Sequence, residues 1–393
     1  MVKLIHSGDW HLDADPIHQE KAKRSLEQMG EYMANIKVDY LLNPGDMFEK
    51  LQQHKKDTGV ELGHYYLKNF AKLLKYIVIT KGNESHDATG SIALLHQIAN
   101  NILAYEYPVV LGMFKDRFID LLRVPDIDEF DESMQPEMII DLMPYPTKSA
   151  LITDKSIDSN NADYGAVFDG LMDVFHIVNS RFKCPKALGF HGNVQGAKLS
   201  NGQVLLGQDI IISPLSLERA GADYYGLAHI HLHQMIRPRM WYSGSLYNKN
   251  HGEEDQKYFQ VVTFDNGEVE IEGIKLEAAR PMVTVEAEFK EGKFVYDKQT
   301  PSNAEVRFKY KVAENERGFI TNENLTEIRA QFGDDVKIDQ TIIPVQRETR
   351  SEKIMEAKTI IEEIKAYAET TNEEITSSIL KKIEKLQEVT NAV

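Results

Sequence analysis

The sequence predicts an α/β fold, on three observations. Short apolar runs recur along the first half of the chain and each ends in a turn. Helix-length segments of mixed polarity, near residues 18–36 and 57–75, separate them. Each turn also carries a residue of a type that binds metal. The first run, Lys3-Leu-Ile, precedes Gly8-Asp9; Tyr40-Leu-Leu precedes Pro44-Gly45-Asp46; Tyr76-Ile-Val-Ile-Thr precedes Gly82-Asn83. Strands alternating with helices imply βαβ units and a parallel sheet. In such sheets ligands bind outside the carboxyl ends of the strands, where these loops emerge. Glycine beside the ligand lets the backbone turn tightly or approach an ion closely.

The middle of the chain repeats the pattern. Ala187-Leu-Gly-Phe leads into His191-Gly192, and Ala222-Asp-Tyr-Tyr-Gly-Leu leads into Ala228-His229-Ile-His231. On a strand, residues two apart face the same side, so His229 and His231 would point together. On a tight loop they could instead reach different ions. Tyr242-Ser-Gly-Ser245 then makes a glycine turn before a strand at Tyr258-Phe-Gln-Val-Val-Thr-Phe264.

Beyond residue 275 the pattern changes. Met282 to Phe289 and Glu305 to Val312 alternate apolar and polar residues, as half-buried antiparallel strands do, and a helix is expected around 322–332. This is a small α+β domain with no ligand cluster, suited to shaping access to a site. The expected organisation is a catalytic-type domain over residues 1–274, a capping domain over 275–345 and terminal helices over 346–393. Thr349-x-x-Glu352 and Thr371-x-x-Glu374 are capping-box patterns, each expected to open a helix. Ile354, Ala357, Ile361, Ile364 and Ala368 would stripe the first helix, and Ile375, Ile379, Ile383 and Leu386 the second. Such a pair docks either on its own chain or, the preferred reading, in a groove on a partner protein.

Seven metal-type residues follow one order: Asp9, His11, Asp46, Asn83, His191, His229 and His231. Asp9, His11 and His231 can hold one ion, Asn83, His191 and His229 a second, and Asp46 can bridge them. Two ions ~3.5–4 Å apart clamp a phosphate ester and stabilise both attacking and leaving oxygens. A bridging carboxylate is needed because two such dications repel strongly. Oxygen and imidazole ligands without thiolate suit manganese, iron or zinc better than calcium or magnesium.

Composition sets the outer limits. The 393 residues leave room for two or three domains, and 42% are hydrophobic. No run approaches the ~18 apolar residues of a membrane span, and the start, MVKLIHSGDW, lacks the features of a signal peptide. One cysteine, Cys184, excludes an internal disulfide framework, fits a reducing cytoplasm and is read as an incidental or buried thiol. The net charge of −16 argues against nonspecific coating of nucleic acid but not against a nuclease, since bound dications add local positive charge. Lys50, Lys55, Lys56, Lys81, Arg237 and Arg239 lie near ligand segments, as substrate contacts or as ordinary surface charge.

These residues resemble the calcineurin-like metallophosphoesterases and, within them, the SbcD family of DNA recombination and repair nucleases. The superfamily's D-x-H, GD, GN, H and GHxH correspond to Asp9-Trp-His11, Gly45-Asp46, Gly82-Asn83, His191 and Ala228-His229-Ile-His231. The nuclease branch is indicated by His6-Ser-Gly-Asp-Trp-His-Leu12, Gly45-Asp-Met-Phe48, Met143-Pro-Tyr145, His229-Ile-His-x-x-Gln234 and Tyr242-Ser-Gly-Ser245. Specific motifs cover residues 1–290; toward the C-terminus only the architecture is alike. The resemblance implies two packed β-sheets flanked by helices, a capping domain and C-terminal helices that bind an SbcC-like coiled-coil ATPase. It further implies a homodimer that hydrolyses DNA phosphodiesters with two divalent ions, most often Mn2+. Its activities would be exonuclease on double-stranded ends and endonuclease on single strands or hairpins.

The chain departs from the family pattern at three places. The family follows its asparagine with histidine and a carboxylate, whereas Asn83 is followed by Glu84-Ser85-His86-Asp87. His86, displaced by two residues, is expected to contact phosphate and assist proton transfer, since imidazole suits both near neutral pH; Glu84 would repel the substrate. Glu49 stands where some relatives place a DNA-contacting histidine, and His54, nearby, matches no motif. Ala228 replaces the usual glycine. His18, His64, His96, His176, His233 and His251 fall outside the ligand order, and His6 supports the site at most. Trp10 and Phe48 are expected beneath the metal loops, and Tyr145 and Tyr242 either line a groove or pack in the core. Two other functions fit the ligands: a phosphomonoesterase or cyclic-nucleotide phosphodiesterase, and a non-catalytic dimeric scaffold that regulates an ATPase.

Overall fold

A computed structural model describes residues 1–49, 58–124, 135–147, 161–200, 210–344, 356–357, 359–371 and 375–390; of residues 161–163, 370 and 384–390 the backbone alone is described. Lys50, His54, Lys55, Lys56, Thr349, Glu352, Ile354, Glu374 and the Leu386 side chain lie outside the described residues. The fold is mixed α/β.

Strands β1 (Val2–His6), β2 (Tyr40–Asn43), β3 (Tyr76–Thr80) and β4 (Ile102–Tyr105) pair in parallel in that order. Helix α1 (Pro16–Asn35) links β1 to β2, and α2 (Thr58–Phe70) lies between β2 and β3. Asp15 caps α1 by accepting from the amides of Ile17 and His18, and Pro16 occupies the first turn, where its missing N–H costs nothing. Along α1 the side chains of Ala22, Leu26, Met29 and Met33 are buried at helical spacing.

The chain then builds a second sheet. It contains β5 (Val109–Met113), β6 (Phe118–Asp120), β7 (Met138–Met143), β8 (Lys186–His191), β11 (Tyr224–Ala228), β12 (Gln234–Arg237) and β13 (Met240–Tyr242). Its order is β12-β13-β11-β8-β7-β5-β6, with β7, β8, β11 and β13 parallel. Helix α3 (Asn161–Asn179) joins β7 to β8; the short β9 (Asn193–Val194) and β10 (Ile211–Ile212) pair with each other, and α4 (Pro214–Glu218) follows. Strands β14 (Tyr258–Asp265) and β15 (Glu268–Lys275) return to the first sheet, antiparallel on the open side of β1. Both sheets are therefore mixed, where the sequence pattern indicated a parallel one.

The period-two alternation of the strands sorts side chains into three cores. Ile5, Leu41, Ile77 and Ile79 pack with Leu26, Met29, Leu67 and Phe70 of α1 and α2. Leu4, Leu42 and Val78 face the other way, into a core shared with Val109, Leu111, Ile140 and Leu142 of the second sheet. On that sheet's outer face Ile139, Leu188 and Leu227 meet Phe168, Met172 and Phe175 of α3. The result is two sheets in contact, each with helices outside. Each fully buried leucine or isoleucine contributes roughly 1.5–3 kcal/mol, and the strand ends that carry Asp9, Asp46, Asn83, His191 and His229 rise from these layers.

A four-stranded sheet follows, ordered β17-β16-β18-β19, from β16 (Met282–Lys290), β17 (Lys293–Val295), β18 (Glu305–Ala313) and β19 (Lys337–Ile343). Val285, Ala287 and Phe289 of β16, and Val306, Phe308, Tyr310 and Val312 of β18, are buried in alternation, as expected for half-buried strands. Helix α5 spans Asn322–Phe332, where the sequence placed a helix. By contacts the chain divides into one unit of Met1–Val285, Asp297–Phe308 and Arg329–Lys337, and another of Glu286–Tyr296, Lys309–Ile328 and Ile338–Val393.

The second unit ends in α6 (Ile360–Thr371) and α7 (Ser377–Thr390). The expected capping box at Thr371 does not open a helix. Thr371 is the last residue of α6, its hydroxyl bonded to the Tyr367 carbonyl, so it closes one helix rather than opening the next. The reciprocal capping box is Thr359 with Glu362, each backbone amide donating to the other side chain at 3.2 Å. Of the expected stripes, Ala368 and Ile383 are buried, whereas Ile379 is 46% exposed. Among the described residues no helix is long and apolar enough to cross a membrane.

Candidate metal centre

The seven ordered residues come together at the carboxyl ends of the strands. Asp9 and His11 lie on the loop after β1, Asp46 after β2, Asn83 after β3, His191 at the end of β8, and His229 and His231 after β11. The β1 and β2 loops run side by side: the Asp9, His11 and Leu12 amides donate to the carbonyls of Gly45, Asp46 and Met47 at 3.1, 3.0 and 3.0 Å. Asp9, His11, Asp46 and His229 all have positive φ, at 50, 44, 51 and 101°. Non-glycine residues adopt this region at a cost of order 1–3 kcal/mol, and surviving instances cluster at functional sites.

Two glycines make the convergence possible. A Cβ on Gly82 would stand 2.0 Å from Asp46 Oδ1, and one on Gly45 would stand 2.6 Å from His191 Nδ1. A Cβ on Gly8 would meet that of Ala228 at 2.6 Å, so the alanine in the His229 loop is accommodated because its neighbour has no side chain.

Asp46 is the hub. Its Oδ2 is 3.2 Å from His191 Nε2, 3.9 Å from His11 Nε2 and 3.3 Å from Asn83 Nδ2, and Oδ1 accepts the Asn83 amide at 3.0 Å. Two clusters with metal-ligand spacing share it: His11, Asp46 and His86 on one side, and Asp46, His191 and His229 on the other. The HxH pair separates, as the loop alternative required. His231 Nε2 lies 2.9 Å from His11 Nε2, while the His229 ring sits 5.2 Å from that of His191. Asp9 accepts the His229 amide at 2.8 and 3.0 Å and has His191, His231 and Asp46 as electrostatic neighbours. The His11–Asp46–His86 and Asp46–His191–His229 groups could hold a metal ion, and Asp9 and His231 belong to neither group.

Burial and mutual charge set the protonation of the cluster. Burial raises Asp9 to about 6, against the opposing histidines. Burial would raise Asp46 as well, but His191 and His11 outweigh it and hold the carboxyl below its usual range. Burial lowers His11 to about 4 and His229 to about 3, leaving both imidazoles neutral and able to ligate. His191 goes the other way: burial opposes its charge, yet Asp46 and Asp9 lift it to about 9.

His86 reaches the first cluster through its longer loop. Its ring lies 4.6 Å from that of His11, and its Nδ1 is 2.7 Å from the Glu49 carbonyl. Glu84 is exposed and bonded instead to Lys81, the Thr89 amide at 3.0 Å and the Thr89 hydroxyl at 2.9 Å. Asp87, buried, joins the loops: it accepts the amides of Asp46 at 2.9 Å, Gly82 at 2.8 Å and Phe48 at 3.3 Å. Burial, then repulsion from Asp46, raises it to about 7.

Behind these residues stand further charged groups, of which the sequence singled out only Glu49, as a departure from the family pattern. Glu49 Oε2 is 2.9 Å from His11 Nδ1 and pairs with Lys249. Glu253 faces His231 Nδ1 at 3.4 Å and pairs with Lys257 at 2.9 Å. Lys249, Glu253 and Lys257 stand in a polar stretch with no metal-type spacing, so no local signal marks them.

The remaining expectations divide. Trp10 and Phe48 are buried in the first core, with the indole N–H bonded to Ser7 Oγ at 3.0 Å. Tyr242 is a core residue, donating to the Gly192 carbonyl at 2.7 Å. Tyr145 lines the site, its ring 5.4 Å from His229, and borders a cavity of about 590 Å3 beside Gly82, Lys81 and Tyr107. His6, lowered to about 3 by burial, bonds the Tyr224 hydroxyl at 2.8 Å between the sheets. His18 pairs with Asp13 at 2.7 Å, and His233 stacks on Tyr258 at 4.5 Å, both outside the two clusters. Arg237 pairs with Glu218 at 3.1 Å. Cys184 is half-buried and its thiol is pushed up to about 11 by burial, which disfavours the thiolate.

No family model matches the chain, and no curated protein matches it. Among the solved structures that match, one is alike over 69% of this chain and 98% of its own, with 9% identity and a TM-score of 0.38, too little to carry an argument.

Proposed function

We propose that this protein is a metal-dependent phosphodiesterase with the metallophosphoesterase sandwich fold, and that it acts as the DNA nuclease subunit of an SbcCD-like complex. The observation that carries the reading is the pair of His/Asp clusters sharing Asp46. The donor set fits two divalent ions, Mn2+ foremost. His229 Nδ1 is buried without a hydrogen-bond partner among the described residues, and the Nε2 atoms of His11 and His231 lie 2.9 Å apart, near enough to converge on one ion.

Asp9, His11 and His231 would hold one ion, Asn83, His191 and His229 the other, with Asp46 between them. Bound ions would supply charge neutralisation at the phosphate and acidify a water for attack. The chain's own residues do the rest. Asp87 and the two loop glycines keep Asp46 in register, and the core beneath Trp10 fixes the His11 loop. His86, beside the His11–Asp46 cluster, stands where it can contact a phosphate oxygen and pass a proton to the leaving group. Tyr145 and the cavity beside it offer a surface for the substrate strand.

DNA as substrate rests on the sequence motifs around these ligands, and the exposed Ile360, Tyr367 and Ile379 of the terminal helices are suited to docking on an ATPase partner. Homodimerisation and a cytoplasmic setting belong to the same reading. The test is cleavage of duplex ends and hairpins by the purified chain, with and without such a partner, in Mn2+ and in Mg2+. Manganese-dependent cleavage that Asp46→Asn abolishes is expected. Cleavage of small phosphomonoesters with DNA untouched would favour a phosphatase.

A further inference from the structure

Behind the rings of His11 and His231 the chain places two matching pairs of charges. Glu49 Oε2, 2.9 Å from His11 Nδ1, is held by Lys249. Glu253 Oε1, 3.4 Å from His231 Nδ1, is held through its other oxygen by Lys257 at 2.9 Å. Lys249, Glu253 and Lys257 are spaced four apart in one segment. Lys257 is fully buried, and its Nζ also reaches Asp255 at 2.9 Å and the His231 carbonyl at 3.1 Å. A buried ammonium is costly unless fully paired, and here its pairs tie Glu253 and the His231 backbone into one rigid unit.

The other half of the centre is built differently. His191 Nδ1 faces the neutral carbonyl of Pro44 at 2.8 Å; among the described residues neither His11 Nδ1 nor His229 Nδ1 has a partner in hydrogen-bond geometry, but His11 Nδ1 has the Glu49 carboxylate at 2.9 Å. Among the described residues, no carboxylate lies within ion-pair distance of His191 Nδ1 or His229 Nδ1. A carboxylate behind an imidazole fixes the Nδ1–H tautomer, aims the Nε2 lone pair and raises its basicity; losing such a partner typically costs 10–100-fold in metal affinity.

We propose that the segment 249–257 makes the two halves of the centre unequal: with Glu49 it holds His11 and His231 as pre-aimed ligands, so a first divalent ion binds there tightly and a second binds more weakly at His191 and His229. This rests on the two-ion reading above. Glu49 also faces His86, whose Nδ1 is 3.5 Å from its carboxylate, so the Glu253–Lys257 pair gives the cleaner test.

The experiment is calorimetric titration of Mn2+ into the metal-stripped full chain, with circular dichroism to verify folding. The native chain should show two phases of unequal affinity. Glu253→Gln should weaken the tighter phase by about 10–100-fold and spare the weaker, Glu253→Asp should restore part of it, and His229→Ala should remove the weaker phase alone. Two equivalent phases in the native chain, or a folded Glu253→Gln with the tight phase intact, would overturn the proposal and leave the two-ion reading standing. No manganese binding at all would overturn both.

Discussion

Replacing Gly82 with alanine is the sharpest steric challenge the site offers. The added carbon would stand 2.0 Å from Asp46 Oδ1 and 2.4 Å from the Asp46 amide nitrogen, both in the residue shared by the two clusters. Real contacts of this kind stay beyond 3.0 Å, so the carboxylate must retreat by at least 1 Å. That motion breaks into the Asn83 amide bond to Asp46 at 3.0 Å and the Asp46 amide bond to Asp87 at 2.9 Å. Hydrogen bonds to charged groups are worth about 1.5–3 kcal/mol each, so losing both removes roughly 3–6 kcal/mol of local order. A displacement of about 1 Å at a reacting centre costs on the order of 100-fold in rate. Gly82→Ala should therefore keep its secondary structure by circular dichroism, melt at lower temperature, bind manganese more weakly and hydrolyse an activated phosphodiester at least ~100-fold more slowly. Native manganese affinity in this variant would refute the placing of Asp46 as the shared ligand.

Three further perturbations follow from the same geometry. His86→Ala should lower turnover by about 100-fold or more with manganese retained, while Glu84→Ala, whose carboxylate is engaged with Lys81 and Thr89, should leave turnover close to native; equal effects in single-turnover assays would exclude His86 as proton donor. Trp10→Ala opens a cavity under the His11 loop and should cost about 3–5 kcal/mol in urea unfolding, and a loss below ~1 kcal/mol would show that the loop does not depend on it. Burial raises Asp141 to about 7, with the Asn179 amide and Lys186 opposing. Its unfolded value is near 4, so the stability tied to its neutral form is complete below about pH 4 and is lost as pH rises toward 7, by up to ~4 kcal/mol. Asp141→Asn should flatten that decline, and urea midpoints that fall just as steeply between pH 5 and 8 would contradict it.

The centre was legible in the sequence where it depends on short-range pattern. Strands β1, β2 and β3 begin and end close to their apolar runs, and each ligand follows its strand within a few residues, so order alone indicated convergence. The sharing-out of His229 and His231 was assigned from the ligand order, but the backbone turn that separates them, a φ of 101° at His229, is announced by no local residue type. The direction of β14 and β15 depends on the open edge of β1, a long-range fact. Glu253 and Lys257 were invisible for a similar reason: their partner His231 is 22 and 26 residues away along the chain. At Thr371 the capping pattern misled, because threonine near the end of a helix can bond back to the preceding turn as readily as it can start a new one.

On the proposed function, Asp46 joins two metal half-sites into one phosphodiester-cleaving centre. The most direct test of this reading is the rate of cleavage of an end-labelled DNA duplex by the metal-stripped chain as manganese is restored, measured side by side for native protein and Asp46→Asn. No cleavage is expected without metal, with recovery in the native chain and none in the folded variant at any manganese concentration. Cleavage by the stripped protein, or native rates from Asp46→Asn, would contradict it.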